Sequence, residues 1–237
     1  MAVMLVTGAS RGIGRALVRA AAAQGADVLA AARTQEGLTE TANGAGPGRV
    51  VTARCDVRSC SEVEAAVEQA VSSFGRLDVA VCNAGVFRTQ PLVDTSLELW
   101  ESVLRTNLDG AFHLVRAAAR HMIGLDGGGT IVLVSSVAGR VGFPGSSAYC
   151  ASKFGMLGLA EAAREELRPQ GIHVLSVLPA EVDTAAWDSS GLDLEALGLD
   201  RARMMRPEDV AQAIVNATLG AKSAVPEELL LRPRCGV

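Results

Sequence analysis

AVMLVTGASRGIGRALVRAAAAQG occupies residues 2–25. An apolar run, AVMLVTG, leads directly into glycines at 8, 12 and 14. The helical pattern RALVRAAAAQG follows and stops at Gly25. A short apolar run bounded by glycine reads as a strand buried on both faces. Glycines after such a strand let the backbone turn tightly and approach a pyrophosphate. The helix start then offers unbonded N–H groups and the positive end of its dipole. A glycine triplet alone is weak evidence. Its position, with a strand before it and a helix after it, is what predicts a dinucleotide-binding turn.

Outward from this unit the alternation continues. DVLAAAR, RVVTARCDV, LDVAVCNAG, GTIVLVSS, IHVLSVLPA and a short EELLLRP read as further strands. The intervening EGLTETANG, SCSEVEAAVEQAVSSFG, the helix around Tyr149 to about Leu167, and RPEDVAQAIVNATLG read as helices. SLELWESVLRTNLDGAFHLVRAAARHMIG is one long helix or two abutting ones. Strict alternation with right-handed crossovers predicts an α/β fold: a single Rossmann-like, doubly wound parallel sheet with helices on both faces. No internal repeat or linker breaks it, so residues 1–237 are expected to form one domain. The stretch 185–205 lacks clear alternation.

Hydrophobic residues make up 49% of the chain but aromatics only 3%, so alanine, valine, leucine and glycine must fill the core. Net charge is -4 and the basic residues are dispersed, which argues against a nucleic-acid partner. The five cysteines, at 55, 60, 82, 150 and 235, form no CxxC pair. They read as free thiols, with no metal site expected. MAVMLV is too short for a signal-peptide core, and no apolar stretch suits a membrane span. The expectation is a soluble cytoplasmic protein without a membrane partner.

The end of the second strand bears on which dinucleotide. An NAD site wants a carboxylate there for the ribose 2′-OH. This strand instead ends with Ala32 and then Arg33, and Arg11 lies inside the glycine turn. Two guanidiniums there would hold a 2′-phosphate by charge-assisted bonds, so NADP(H) is the expected cofactor. The alternative is two solvated surface arginines.

Tyr149 is the sole tyrosine, and Lys153 follows one helical turn later. Residues four apart share a helix face, so both can point into one cleft. A nearby ammonium favours phenolate, which would suit Tyr149 to proton transfer. For the pair in isolation, a structural tyrosine with a chance lysine neighbour is the plainer reading.

The pair is not isolated. TGASRGIG (7–14), CDV (55–57), NAG (83–85), Asn107 in LRTNLDG, Ser136 closing the fifth strand, and YCASK (149–153) occur in order. Together they resemble the short-chain dehydrogenase/reductase family in its compact form, over essentially the whole chain. The resemblance implies that Tyr149 is the acid/base and that Lys153 binds the nicotinamide ribose and lowers the tyrosine pKa. It implies that Ser136 orients the reacting oxygen and that Asn107 holds a water in a proton relay behind Lys153. Ser135 should point to the other side of its strand. Cofactor contacts fall on Gly8, Ser10, Arg11, Gly12, Ile13, Gly14, Arg33, Asp56, Val57, Asn83, Ala84, Gly85, Tyr149, Lys153, Pro179, Val182 and Thr184. Asp56 is the expected adenine contact. Family members commonly assemble through the helix leading to Asn107 and the helix bearing Tyr149, which implies a homodimer or homotetramer.

The chain departs from the pattern after the sixth strand, where LPAEVDT places Ala180 at the usual glycine. Either the loop shifts or this position never needs a positive φ. The 185–205 stretch carries Trp187, Leu192, Leu194, Leu197 and Leu199. It reads either as an apolar lid over an apolar or acyl substrate or as ordinary amphipathic packing. Phe87, Val137, Phe143 and Cys150 are candidate pocket residues. The implied function is NADP(H)-dependent hydride transfer between the nicotinamide and a small-molecule carbonyl or secondary alcohol. A 3-oxoacyl thioester reductase is the near alternative, for which Arg88, Arg140 and Arg203 would supply a basic dock. A non-enzymatic NADP-binding sensor or scaffold is the alternative of another class. Retention of Asn107, Ser136, Tyr149 and Lys153 together argues against the sensor.

Overall fold

The computed structural model describes residues 1–125, 128–195, 197–220 and 224–234; Cys235 lies outside them. The chain begins with β1 (Val3–Thr7), α1 (Gly12–Ala23), β2 (Asp27–Ala32), α2 (Gln35–Ala42) and β3 (Val50–Arg54). Next come α3 (Cys60–Phe74), β4 (Val79–Cys82), α4 (Leu97–Leu104) and α5 (Gly110–Met122). β5 (Gly129–Val134), α6 (Ser147–Leu167), β6 (Ile172–Pro179), α7 (Pro207–Leu219) and β7 (Glu228–Leu231) complete the order. The seven strands form one sheet in the order β3-β2-β1-β4-β5-β6-β7, and every neighbouring pair is parallel. This is the doubly wound sheet that the alternation predicts.

Successive strand side chains point to opposite faces, so each strand feeds two core layers. Leu5, Leu29 and Ala31 pack with Val63 and Val67 of α3, Leu114 of α5 and Met156 of α6. Met4, Val6, Val28 and Ala30 pack with Leu17 and Ala21 of α1, Leu38 of α2 and Ile214 of α7. Polar side chains set some of the helix starts. The Ser59 hydroxyl accepts from Glu62 N at the head of α3, and the Ser96 hydroxyl accepts from Leu99 N at the head of α4.

The long helical stretch resolves into two helices joined by a π-turn at Arg105–Asp109, with helical dihedrals on both sides. Asn107 sits inside that widened turn. The 185–205 segment forms no α-helix among the described residues, only short 3-10 turns at Trp187–Ser189 and Arg201–Arg203. The amphipathic-helix alternative is thereby removed. No helix among the described residues is long and apolar enough to cross a membrane, and none of their His, Cys, Asp and Glu side chains cluster as a metal site.

Candidate active site

In a parallel sheet the strand ends all face one way. The chain turns to opposite sides after β1 and β4, leaving a crevice at that switch point. Two cavities open there. One, of about 390 Å³, is lined by Gly8, Ser10, Arg11, Gly12, Ile13, Arg33, Asp56, Val57, Asn83, Ala84, Gly85 and Thr184. The other, of about 500 Å³, is lined by Ser136, Tyr149, Lys153, Pro179 and Val182 among others. Ile13, Asn83, Gly85, Val86, Thr184 and Ala186 belong to both, so the two are continuous. Of the expected catalytic and cofactor-binding residues only Gly14 and Asn107 line neither cavity.

Gly14 acts by packing. A Cβ there would lie 2.3 Å from the Gly8 carbonyl oxygen, so only glycine lets α1 start this close to β1. Gly8, at φ +67, leaves no room either, since its Cβ would meet the Ala84 backbone at 2.7 Å. The strand ends are tied by Thr7, which sequence reasoning passed over although it lies within TGASRGIG. Its hydroxyl donates to Val81 O at 3.0 Å and accepts from Asn83 N at 3.1 Å and Ala84 N at 3.3 Å. The Asn83 amide donates to Thr7 O at 2.9 Å.

α1 begins without a side-chain cap and without an acidic residue in its first turn. Its first N–H groups and dipole end are left for an anion at the cavity. Arg11 and Arg33 are exposed at its mouth, and neither guanidinium hydrogen-bonds to a protein group among the described residues. β2 ends at the buried Ala32, without a carboxylate. The Asp56 carboxylate is gripped by the Arg58 guanidinium and backbone N–H, with Arg33 contributing at longer range; together they hold it below the usual carboxylate range. Its expected role as an adenine contact therefore competes with an existing ion pair. Thr34, Cys55 and Thr106 also line this cavity; Cys55 and Thr106 lie within CDV and LRTNLDG but were given no role there.

In the larger cavity the half-buried Tyr149 stands beside Ser136. The Lys153 Nζ lies 5.7 Å from the centre of the Tyr149 ring. Burial pushes the phenol pKa up to about 12, against the lowering effect of the nearby Ser136 hydroxyl. The expected ammonium-induced fall is not what this structure has. Lys153 turns its Nζ to Val134 O at 2.9 Å and Met156 Sδ at 3.5 Å instead of the phenol oxygen, and its own burial brings it down to about 8. Ser135 is tied to Lys153 O at 3.1 Å, while the Ser136 hydroxyl, on the cavity side, donates to Pro179 O at 3.4 Å and accepts from Ala138 N at 3.2 Å.

Asn107 is held from below. Its Oδ1 accepts from Val86 N at 2.8 Å, while its Nδ2 donates to Val86 O and to Ser152 Oγ, both at 3.0 Å. Ser152 in YCASK went unassigned from sequence. It links the π-turn to α6 one residue before Lys153.

Ala180 keeps a negative φ, as do all described non-glycine residues, and its N–H donates to Leu231 O at 2.8 Å. The position therefore never needs glycine, because it continues the β6–β7 pairing. The following loop is closed at its neck, where Asp183 N donates to Met205 O and Met205 N to Glu181 O. Arg201 reaches back to Asp183 at 2.6 Å, Asp188 at 2.7 Å and Thr184 O at 3.1 Å. Thr89 N donates to Ser190 O at 2.8 Å, fastening the loop to the segment after β4. Trp187, Leu192, Leu197 and Leu199 face the cavity with Phe87, Val137 and Phe143; Leu194 does not line it. Cys150 does not line it either. It is buried with its thiol towards Val141 O, on a different side of α6 from Tyr149. Arg88 donates to Ser189 Oγ and Phe87 O, and Arg140 pairs with Glu228 at the surface.

Comparison with known proteins adds to this geometry. Residues 2–195 match the family model for short chain dehydrogenase. The chain is 36% identical over 219 residues to a D-threitol dehydrogenase of Mycolicibacterium smegmatis, covering 90% of this chain and 84% of that one. It is 35% identical to the 3-oxoacyl-acyl-carrier-protein reductase FabG of Thermotoga maritima, covering 90% and 88%. Among solved structures, a short-chain type dehydrogenase/reductase from Mycobacterium marinum superposes with a TM-score of 0.87 at 31% identity, covering 98% and 94%. An alcohol dehydrogenase from Thermococcus sibiricus, complexed with 5-hydroxy-NADP, gives 0.86 at 26% identity, covering 99% and 97%. With the ordered motifs gathered around one crevice and relatives matched along most of their length, the chain belongs to the short-chain dehydrogenase/reductase family of oxidoreductases.

Proposed function

We propose that this protein is an NADP(H)-dependent oxidoreductase that interconverts a small carbonyl compound and its secondary alcohol, with Tyr149 as the acid/base. The whole chain serves as one catalytic unit. The observation that carries the reading is the convergence of Ser136, Tyr149 and Lys153 in one cavity, where its apolar wall meets the phosphate turn. A dinucleotide suits the smaller cavity: the first turn of α1 is uncapped, and two exposed guanidiniums stand where β2 brings no carboxylate. Arg11 and Arg33 would hold a 2′-phosphate, the turn at Gly8–Gly14 the pyrophosphate, and Val182 and Thr184 the nicotinamide side. The bound nicotinamide supplies the hydride.

The rest is proton handling and orientation. At neutral pH a phenol raised to about 12 is protonated, so Tyr149 is ready to donate to a carbonyl oxygen. The Ser136 hydroxyl orients that oxygen. Asn107, braced by Ser152 and Val86, steadies the turn behind Lys153. Burial of Lys153 and the apolar wall keep bulk water from the proton path.

Tyr149→Phe should abolish ketone reduction, followed as loss of reduced-nicotinamide absorbance, while leaving NADPH binding intact by calorimetry. Turnover near that of the unmodified protein would refute the acid/base role.

A further inference from the structure

The larger cavity is mostly apolar. Ser136, Tyr149 and Lys153 form the inner end, and the outer wall is Phe87, Phe143, Trp187, Leu192, Leu197 and Leu199. Phe87 packs on Tyr149 at 4.7 Å between ring centres and meets Trp187 edge-on at 5.5 Å. The Trp187 indole N–H donates to Val182 O at 2.8 Å, which fixes that wall in place. In a chain with so few aromatics, three of them stand in contact at this one site.

Two of the wall residues are exposed: Leu197 at 55% and Phe143 at 47%. Large apolar groups left open at a cavity rim gain from being covered by an apolar ligand. Several polar groups nearby are already committed. Ser135 serves Lys153 O, and Asn83 serves Thr7 O. Glu181 lines the cavity, no arginine does among the described residues, and the Lys153 Nζ is turned to Val134 O, so an anionic substrate would meet a carboxylate and no guanidinium. A substrate rich in hydroxyl groups would leave them unpaired against the outer wall, which is costly.

We infer that the substrate is a bulky, uncharged, apolar ketone or its secondary alcohol, with Trp187 and Phe87 as the specificity-determining wall. This rests on the oxidoreductase reading above. The volume of about 500 Å³ is shared with the nicotinamide side at Val182 and Thr184, and the aromatic and leucine wall lines the part left to the substrate.

The test is a reduction series with NADPH: acetone, cyclohexanone and decalone, against dihydroxyacetone, pyruvate and an acetoacetyl thioester. The expected kcat/KM rises at least about tenfold from acetone to decalone, the scale on which apolar pockets discriminate size. Trp187→Ala should flatten that rise, with the loss in kcat/KM falling mainly on decalone. A flat series in the unmodified protein, or dihydroxyacetone, pyruvate or the thioester preferred over decalone, would overturn the inference. If that preferred turnover is lost in Tyr149→Phe, the oxidoreductase reading survives its fall. Binding gives a readout free of chemistry. Trp100→Phe leaves Trp187 as the sole tryptophan, and its fluorescence should be quenched by decalone at far lower concentration than by dihydroxyacetone. Such quenching without turnover would uphold the pocket's chemistry and sink the catalytic reading; equal quenching would sink the inference itself.

Discussion

Arg33 stands just beyond β2, where Ala32 leaves no carboxylate to repel a negative ligand. Losing one charge-assisted hydrogen bond costs about 1.5–3 kcal/mol. Arg33→Ala should therefore weaken NADPH binding by roughly ten- to a hundredfold and leave NADH binding unchanged. An unchanged NADPH dissociation constant by calorimetry would remove Arg33 from the phosphate site. Lys153 makes a different prediction. Its folded pKa of about 8 lies below the ordinary 10.5, so between those values the unfolded chain holds more protons and stability rises with pH. Below pH 8 the buried ammonium destabilises the fold by about 3 kcal/mol, reduced to about 2 when its bond to Val134 O is counted. Lys153→Met should raise the cofactor-free Tm by about 5 °C at pH 7, and that gain should vanish towards pH 10. A gain independent of pH would show that the charge is not its source. At this scale Tyr149, Lys153 and Ser136 were legible because their order along the chain is distinctive. The direction of the phenol shift was not, since it depends on where Nζ points. Cys150 was misjudged because the next residue on a helix turns away by about 100°.

Among the elements, the loop from Asp183 to Met205 owes its shape to distant polar contacts. Arg201 alone joins Asp183, Thr184 and Asp188, and the loop presents Thr184 to both cavities. These ion pairs are part-exposed and each is weak, so their joint removal should cost about 1 kcal/mol. Arg201→Ala should raise KM about fivefold with kcat little changed, and high salt should bring the unmodified protein towards the same KM. A fall in kcat at constant KM would speak against a purely positioning role. The sequence showed this segment only as a break in alternation. Ion pairs spanning 13 or 18 residues leave no periodic mark, and no pattern could announce that Thr89 would bond Ser190. The regular elements were legible because buried parallel strands are continuous apolar runs and the helices end at glycine. Ala180 shows the limit of the comparison by motif. A missing glycine looked like a displaced loop until the backbone placed that residue in the β6–β7 pairing.

For the molecule as a whole, alternation of strands and helices was enough to fix a parallel, doubly wound sheet, and the two faces of each strand account for both core layers. Sequence order and spatial order nevertheless diverge at the centre. β1 lies between β2 and β4, with Met4 paired to Val79 across the switch point that carries the site. That arrangement governs assembly in time. The first three strands can close on one another through short crossovers, but the inner edge of β1 keeps unpaired backbone groups until β4 has been made and docked. Until then the growing chain presents a sticky edge to its neighbours. The crevice does not exist before that docking, and all the strand pairings span long stretches of chain. Folding should accordingly be slow and prone to off-pathway association, with the phosphate turn completed only when the two halves of the sheet meet.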